Sequence, residues 1–316
     1  VPPGTLDNRA LIAQRRAASA LENHLTDEFL AGRLSRRGLL RHASRIGMAA
    51  PLLGSLLPAR AAPAAPLPAL PNATIRVAAP MPAGAIDPLT VSESGGTLML
   101  CQTGEFLTLD GPDAILRPML ARSWRPNADA SIWTFALRPG VTFHDGTAFT
   151  AADVVATMDR LADPRQGSNA LSVLRGVLSP GGTRSIDDLT VAFHLDAPNG
   201  HFPYCVSSDN YNAIMLPARY DGGYERTFIG TGPFQLDTYA PHAGATFVRN
   251  TAWWGGQVLP ARTAFSFFDD QAPQILALED GEVDIIASLA VQGAQGLIAD
   301  PRFRTIAIPS AIQRHV

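Results

Sequence analysis

Residues 132–161 carry the pattern that most restricts the fold. Ile132-Trp133-Thr134-Phe135-Ala136-Leu137-Arg138 alternates, with Trp133, Phe135 and Leu137 on one side, which is the period of a half-buried strand. Pro139-Gly140 turns the chain, Val141-Thr142-Phe143 follows, and His144-Asp145-Gly146 turns it again. Thr150 then opens a helix. It lies three residues before Asp153, so both side chains can reach free N–H groups of the first turn. Val154, Val155, Met158 and Leu161 make that helix's apolar face. A strand that hands over so directly to an amphipathic helix points to a mixed fold.

The other segments agree. Thr74 to Ala79 reads as a short strand, and Ser92 to Leu107 holds an apolar helical pattern after Gly95-Gly96. Asp187-Asp188 turns into the alternating run Leu189 to Leu195. Gly230-Thr231-Gly232-Pro233-Phe234 reads as a tight turn entering a strand, with Gly230 and Gly232 supplying positive φ, and Thr246 to Asn250 as its partner. Gln271 to Asp280 is a short helix stopped by Gly281. Val283 to Ile286 and Thr305 to Ile308 read as strands. No internal repeat is visible. The fold class is α/β, or mixed α+β.

At 316 residues and 46% hydrophobic, the chain can bury a real core. Its charge is uneven. Nine Arg and four acids fall in residues 1–61, which leaves 16 Arg against 24 acids in the remainder. That remainder lacks the clustered cations needed on phosphates, so nucleic acid is not an expected partner. All 25 basic residues are Arg. With no Lys, a P-loop lysine and a Schiff-base lysine are both excluded. Cys101 and Cys205 lie far apart, without a C-x-x-C. They can form one disulfide in an oxidising compartment or remain two separate thiols.

Residues 1–61 read as an export signal with a long basic front. Ser35-Arg36-Arg37-Gly38-Leu39-Leu40-Arg41 is a twin-arginine pattern, Ile46 to Leu57 is apolar, and Ala59-Arg60-Ala61 is a small-x-small cleavage site. The apolar part falls short of the roughly 20 residues that span a bilayer. Processing after Ala61 is expected, giving a soluble periplasmic product, since no Cys follows as a lipid anchor. Residues 62–73 form a linker, too proline-rich through residue 71 to be helical.

With those segments in place, the chain resembles the extracellular solute-binding proteins of family 5, which bind dipeptides, oligopeptides and nickel for ABC importers. The resemblance rests on Leu120-Ala121-Arg122-Ser123-Trp124 and on the run from Trp133 through Gly146. Thr150-Ala151-Ala152-Asp153-Val154-Val155 and Gly230-Thr231-Gly232-Pro233-Phe234 follow at the family's spacing. Arg249-Asn250 with Trp253-Trp254-Gly255, and Leu278-Glu279-Asp280-Gly281-Glu282-Val283-Asp284-Ile285, complete it. It implies a two-lobe periplasmic-binding-protein-like fold. Residues 74–310 would be the first lobe, including an extra subdomain at about 115–222. Residues 311–316 would begin the hinge to a second lobe that is mostly absent. Trp124, Trp133 and Trp254 are expected in the core, and His144 as a solvated turn residue rather than a metal ligand.

The same resemblance implies a binding protein that delivers peptides or peptide-like solutes to an inner-membrane ABC permease, after export by the twin-arginine machinery, with no cofactor. The cleft side of the first lobe would be lined by the segment after the first strand, here Glu93 and Ser94 with Gln102, and by Asp209, Asn210, Tyr211 and Asn212. The carboxylate suits an amine, the two Asn suit amides, and Tyr211 suits stacking or a hydroxyl bond. The same residues also fit a polar surface loop.

Other classes leave weaker traces. There is no Gly-x-Ser-x-Gly and no His-Glu-x-x-His, and the seven His are scattered. The carboxylate pairs Asp187-Asp188, Asp269-Asp270 and Glu279-Asp280 sit in turns, so a secreted hydrolase would need the fold to assemble its acids. A periplasmic chaperone or sensor receptor on the same fold is the other alternative, because fold does not fix function.

Overall fold

The computed structural model describes residues 18–30, 72–111, 113–258 and 260–306. The twin-arginine pattern, the apolar stretch, the Ala59–Ala61 site, the linker up to residue 71 and residues 311–316 lie outside them. The chain falls into two units, Val1–Ala69 and Leu70–Val316. In the first, helix α1 (Ala20–Leu30) starts with a reciprocal cap. The Ser19 N–H donates to Glu22 Oε2 at 2.7 Å and the Glu22 N–H to Ser19 Oγ at 3.3 Å.

The second unit is built on two sheets. The larger runs β11-β1-β10-β9-β8, from β1 (Thr74–Pro80), β8 (Phe234–Ala240), β9 (Gly244–Arg249), β10 (Arg262–Phe268) and β11 (Ile285–Ile286). β1 pairs in parallel with both β10 and β11, while β9 pairs antiparallel with β10 on one side and β8 on the other. Val77, Ala78 and Ala79 are all buried, because β1 is covered on both faces. Val77 and Ala79 join the main core. Ala78 points the other way, onto Ala277 and Val283 beneath helix α6 (Gln271–Glu279). Helix α2 (Ser94–Thr103) packs against β1 and β8.

The smaller sheet is antiparallel, ordered β4-β5-β7-β6, from β4 (Ala121–Pro126), β5 (Ile132–Leu137), β6 (Thr183–Asp187) and β7 (Thr190–His194). A separate hairpin joins β2 (Thr108–Asp110) to β3 (Leu116–Pro118). Trp133, Phe135 and Leu137 are buried on one face as expected. Phe135 stacks with Trp124 at 6.1 Å and meets Phe193 edge-on at 5.1 Å. Helix α3 (Ala151–Ala162) crosses this sheet and buries Val154, Met158 and Leu161. Asp153 holds its start. One carboxylate oxygen accepts the Thr150 N–H at 2.7 Å and the other the Ala218 N–H at 2.8 Å. Short helices α4 (Leu171–Leu174), α5 (Phe202–Cys205) and α7 (Gln295–Ala299) fill the connections.

Four sequence expectations need correction. Residues 262–268 form β10, the sheet's middle strand, which was not recognised as a strand. The segment at 283–286 pairs only at Ile285 and Ile286. Thr305 and Ile306 form no strand, and residues 307–308 are outside the described set. Gly230 and Gly232 do not have positive φ. They are glycines because the backbone passes directly over Thr103. A Cβ on Gly230 would overlap the Thr103 carbonyl oxygen, and one on Gly232 would come within 2.8 Å of it.

Candidate ligand-binding site

The chain leaving β1 is tied down by Ser168, Asn169 and Asn212. Asn212 Nδ2 donates to the carbonyls of Pro88 at 2.8 Å and Val91 at 3.0 Å. The side-chain amide of Asn169 donates to the Thr90 and Val91 carbonyls, and the Asn169 N–H and Ser168 Oγ both donate to Leu89 O. Loop carbonyls without a ladder partner need such donors when buried. Beside this seam lies an open concavity of about 410 Å³, lined by Asn169, Ser172, Val173 and Asp209 to Asn212. Asp209 supplies the single charge among the lining residues and is exposed, while Tyr211 is half-buried.

The structure thus brings Asp209, Asn210, Tyr211 and Asn212 together, and Asn212 reaches to within two residues of Glu93. The amide groups of the two Asn serve the fold: Asn210 Nδ2 donates to Cys205 O at 2.9 Å, and Asn212 grips the loop. Glu93 caps α2, its Oε1 accepting the Gly96 N–H at 2.8 Å, while its Oε2 is buried without a partner. Ser94 is exposed. Gln102 turns toward β10, where its Oε1 accepts from Thr263 Oγ1 at 3.3 Å, and it does not line the concavity. Cys101 and Cys205 are both free thiols, so the optional disulfide is not formed in this structure.

Sequence reasoning missed a buried polar cluster. Glu105 is fully buried. Its Oε2 accepts from Thr231 Oγ1 at 2.7 Å and Trp254 Nε1 at 2.8 Å, and its Oε1 from Trp253 Nε1 at 3.0 Å. Arg138 lies 4.1 Å over the Trp254 ring. Burial raises the carboxyl's pKa, opposed by the three donors and by the Arg138 charge. Trp254 is therefore an anchor with a polar end rather than a plain core aromatic. The only advance sign was a lone Glu between apolar neighbours. His144, expected in solvent, has a largely buried ring with Nε2 3.1 Å from Gly232 O, and burial lowers its pKa. Among the described residues, no group of three or more His, Cys, Asp or Glu is gathered to hold a metal, and no helix is long and apolar enough to cross a membrane.

A second, apolar groove of about 450 Å³ lies beside the edge strand β11, among Leu278, Ile285, Ile286, Val291, Ile298 and Ile306.

Di/tripeptide-binding protein 4 of Pseudomonas aeruginosa (strain UCBPP-PA14) is 28% identical over 221 residues, which cover 63% of this chain and 41% of that protein. Glutathione-binding protein GsiB of Escherichia coli (strain K12) is 28% identical over 206 residues, covering 64% and 39%. The structure of the Escherichia coli murein tripeptide binding protein MppA superposes with a TM-score of 0.65 at 22% identity, covering 73% of this chain and 48% of that one. The fold is shared, and this chain spans about two-fifths of the length of the curated relatives it matches. Residues 116–315 match the model of the bacterial extracellular solute-binding proteins, family 5 Middle, and the chain belongs to that family.

Proposed function

We propose that this chain captures peptides or peptide-like solutes in the periplasm for an ABC importer, after export by the twin-arginine route. The single observation that carries the reading is the concavity beside the clamped 88–91 loop. A lone carboxylate, Asp209, stands there next to Tyr211 with no cation among the lining residues, which suits an ammonium group beside an apolar or amide-bearing body. The names of the relatives, a di/tripeptide-binding protein and a glutathione-binding protein, point to the same ligand chemistry. Glu93 caps α2, on which Ser94 and Gln102 lie, and that helix follows the loop that Asn212 holds.

The test is calorimetry of the chain with Ala-Ala, tri-alanine, glutathione, a nickel salt and glucose. Peptide or glutathione binding is expected, and Asp209→Asn is expected to weaken it about tenfold, the size of one lost charge-assisted hydrogen bond. Binding of glucose alone, or equal peptide affinity of wild type and Asp209→Asn, overturns the reading.

A further inference from the structure

The two sheets of the larger unit are joined by two chain crossings. Thr103 to Glu105 leads out of α2 toward β2, and residues 228–233 lead back into β8. The crossings are zipped into one neck. The Gly232 N–H donates to Thr103 O at 2.8 Å, Thr231 Oγ1 donates to Glu105, and Asn250 Nδ2 donates to Gly232 O at 3.0 Å. Tyr224, entirely inside the core, meets Thr103 Oγ1 at 2.8 Å from the other side.

His144 closes this neck from the turn after β5. Its N–H donates to Gly230 O at 2.9 Å, and its ring Nε2 lies 3.1 Å from Gly232 O. A carbonyl only accepts, so Nε2 carries the hydrogen. The neutral ring is then bare at Nδ1, which is buried with no hydrogen-bond partner. The Phe228 carbonyl also interacts with the ring, and Phe228 itself is fully buried at φ +46°, a conformation that bulky side chains rarely adopt. One ring thus touches the strained crossing both at Phe228 and at Gly232.

We propose that His144 is an acid-operated latch on the neck: neutral, it holds the returning crossing against the turn after β5, and a proton on Nδ1 releases that grip. The reason is the absence of a counter-charge at the ring. On its own turn, Asp145 is paired with Arg219. On the outgoing crossing, the Glu105 carboxylate is engaged by Thr231 and two indoles. On the β9–β10 loop stand Asn250 and the two Trp, with Arg138 over Trp254. The returning crossing offers only carbonyls. No side-chain charge acts on the ring, and burial opposes its protonation more strongly than the Gly232 and Phe228 carbonyls favour it. A proton forced on at low pH puts a charge with no counter-charge into the buried seam.

The sign follows. A base whose folded pKa is depressed contributes stability at higher pH and loses it as pH falls through that value. The experiment is an NMR titration of His144 in the full chain, with hydrogen exchange of the Gly230 and Gly232 amides followed between pH 7.5 and 4.5. The expected midpoint lies below the ordinary value of about 6.5. As pH falls from that ordinary value to the midpoint, neck exchange corrected for intrinsic rates should rise by up to about tenfold per pH unit, and it should level off below the midpoint. His144→Gln retains a donor for Gly232 O and cannot titrate, so its neck exchange should be flat across the same range. A midpoint at or above the ordinary value, neck exchange that ignores the titration, or parallel profiles for wild type and His144→Gln each overturn the latch. If His144→Gln does not fold, the wild-type titration and exchange decide alone.

Discussion

Gly230 passes over Thr103 so closely that a Cβ on Gly230 would overlap the Thr103 carbonyl oxygen. The obstacle is backbone, so no side chain can rotate away. Gly230→Ala is expected to cost about 3 kcal/mol, at the upper end of ordinary overpacking. Gly84 has open space around its Cβ position and no positive φ. Gly84→Ala should stabilise by about 0.5 kcal/mol through the unfolded chain. Urea denaturation of the two variants measures both, and equal midpoints would contradict the close approach.

Glu105 accepts three hydrogen bonds inside the core. Gln offers one acceptor and presents an NH2 to donors, so Glu105→Gln should cost about 2 kcal/mol at neutral pH. The pH dependence has a definite sign. Burial raises the folded pKa above its ordinary 4.5. The group's contribution is therefore fully present below that value and declines as pH rises through the folded pKa. The stability gap between wild type and Glu105→Gln should narrow from pH 4.5 upward, the opposite direction to that expected for His144. Denaturation series at several pH values separate the two.

Asn212 binds two loop carbonyls that have no ladder partner. Asn212→Asp removes both donors and places a carboxylate against those oxygens, so loop 88–94 should lose exchange protection and the chain about 3 kcal/mol. Asn212→Gln keeps the donors and should recover part of the loss. Amide exchange of Val91 and Glu93 reports the outcome, and unchanged protection in Asn212→Asp would contradict the clamp.

At the edge strand, Ile285, Val291 and Ile306 are 46%, 68% and 69% exposed around the apolar groove. An open strand edge beside contiguous apolar surface invites pairing between chains. The purified chain should bind a hydrophobic dye and self-associate with rising concentration. Val291→Glu with Ile306→Glu should lower both signals while leaving the far-ultraviolet circular dichroism unchanged. A dye-silent monomer would contradict this.

Export tests the basic front of the chain. Replacing Arg36 and Arg37 by Lys should leave the protein in the cytoplasm on cell fractionation. Undiminished export of wild type in a strain lacking the twin-arginine machinery would exclude that route.

Local chemistry was legible wherever neighbours in sequence settle it. The alternation of Trp133, Phe135 and Leu137, the Asp153 cap and the Gly281 stop each depend on a few adjacent residues, and each is found in the structure. Arg262 to Phe268 alternates as clearly, with Thr263, Phe265 and Phe267 buried, but no turn signal marked its start. Gly230 misled because glycine permits two things, positive φ and close approach, and only a neighbour 127 positions earlier in the chain decides between them.

The order of strands and turns was enough to place the chain in its family, because periodicity and turn chemistry are properties of short segments. Sequence also collected Asp209 to Asn212 as one polar group. Only the tertiary structure decided which of those groups remain available. Asn210 and Asn212 have their amides committed to backbone carbonyls, and Gln102 is turned onto β10, while Asp209 stays exposed in the concavity. The same holds for Glu105, whose partners Thr231, Trp253 and Trp254 lie more than a hundred residues along the chain. A side chain's donors and acceptors are satisfied by whatever the fold brings against them, and burial fixes that assignment by making an unpaired polar group costly.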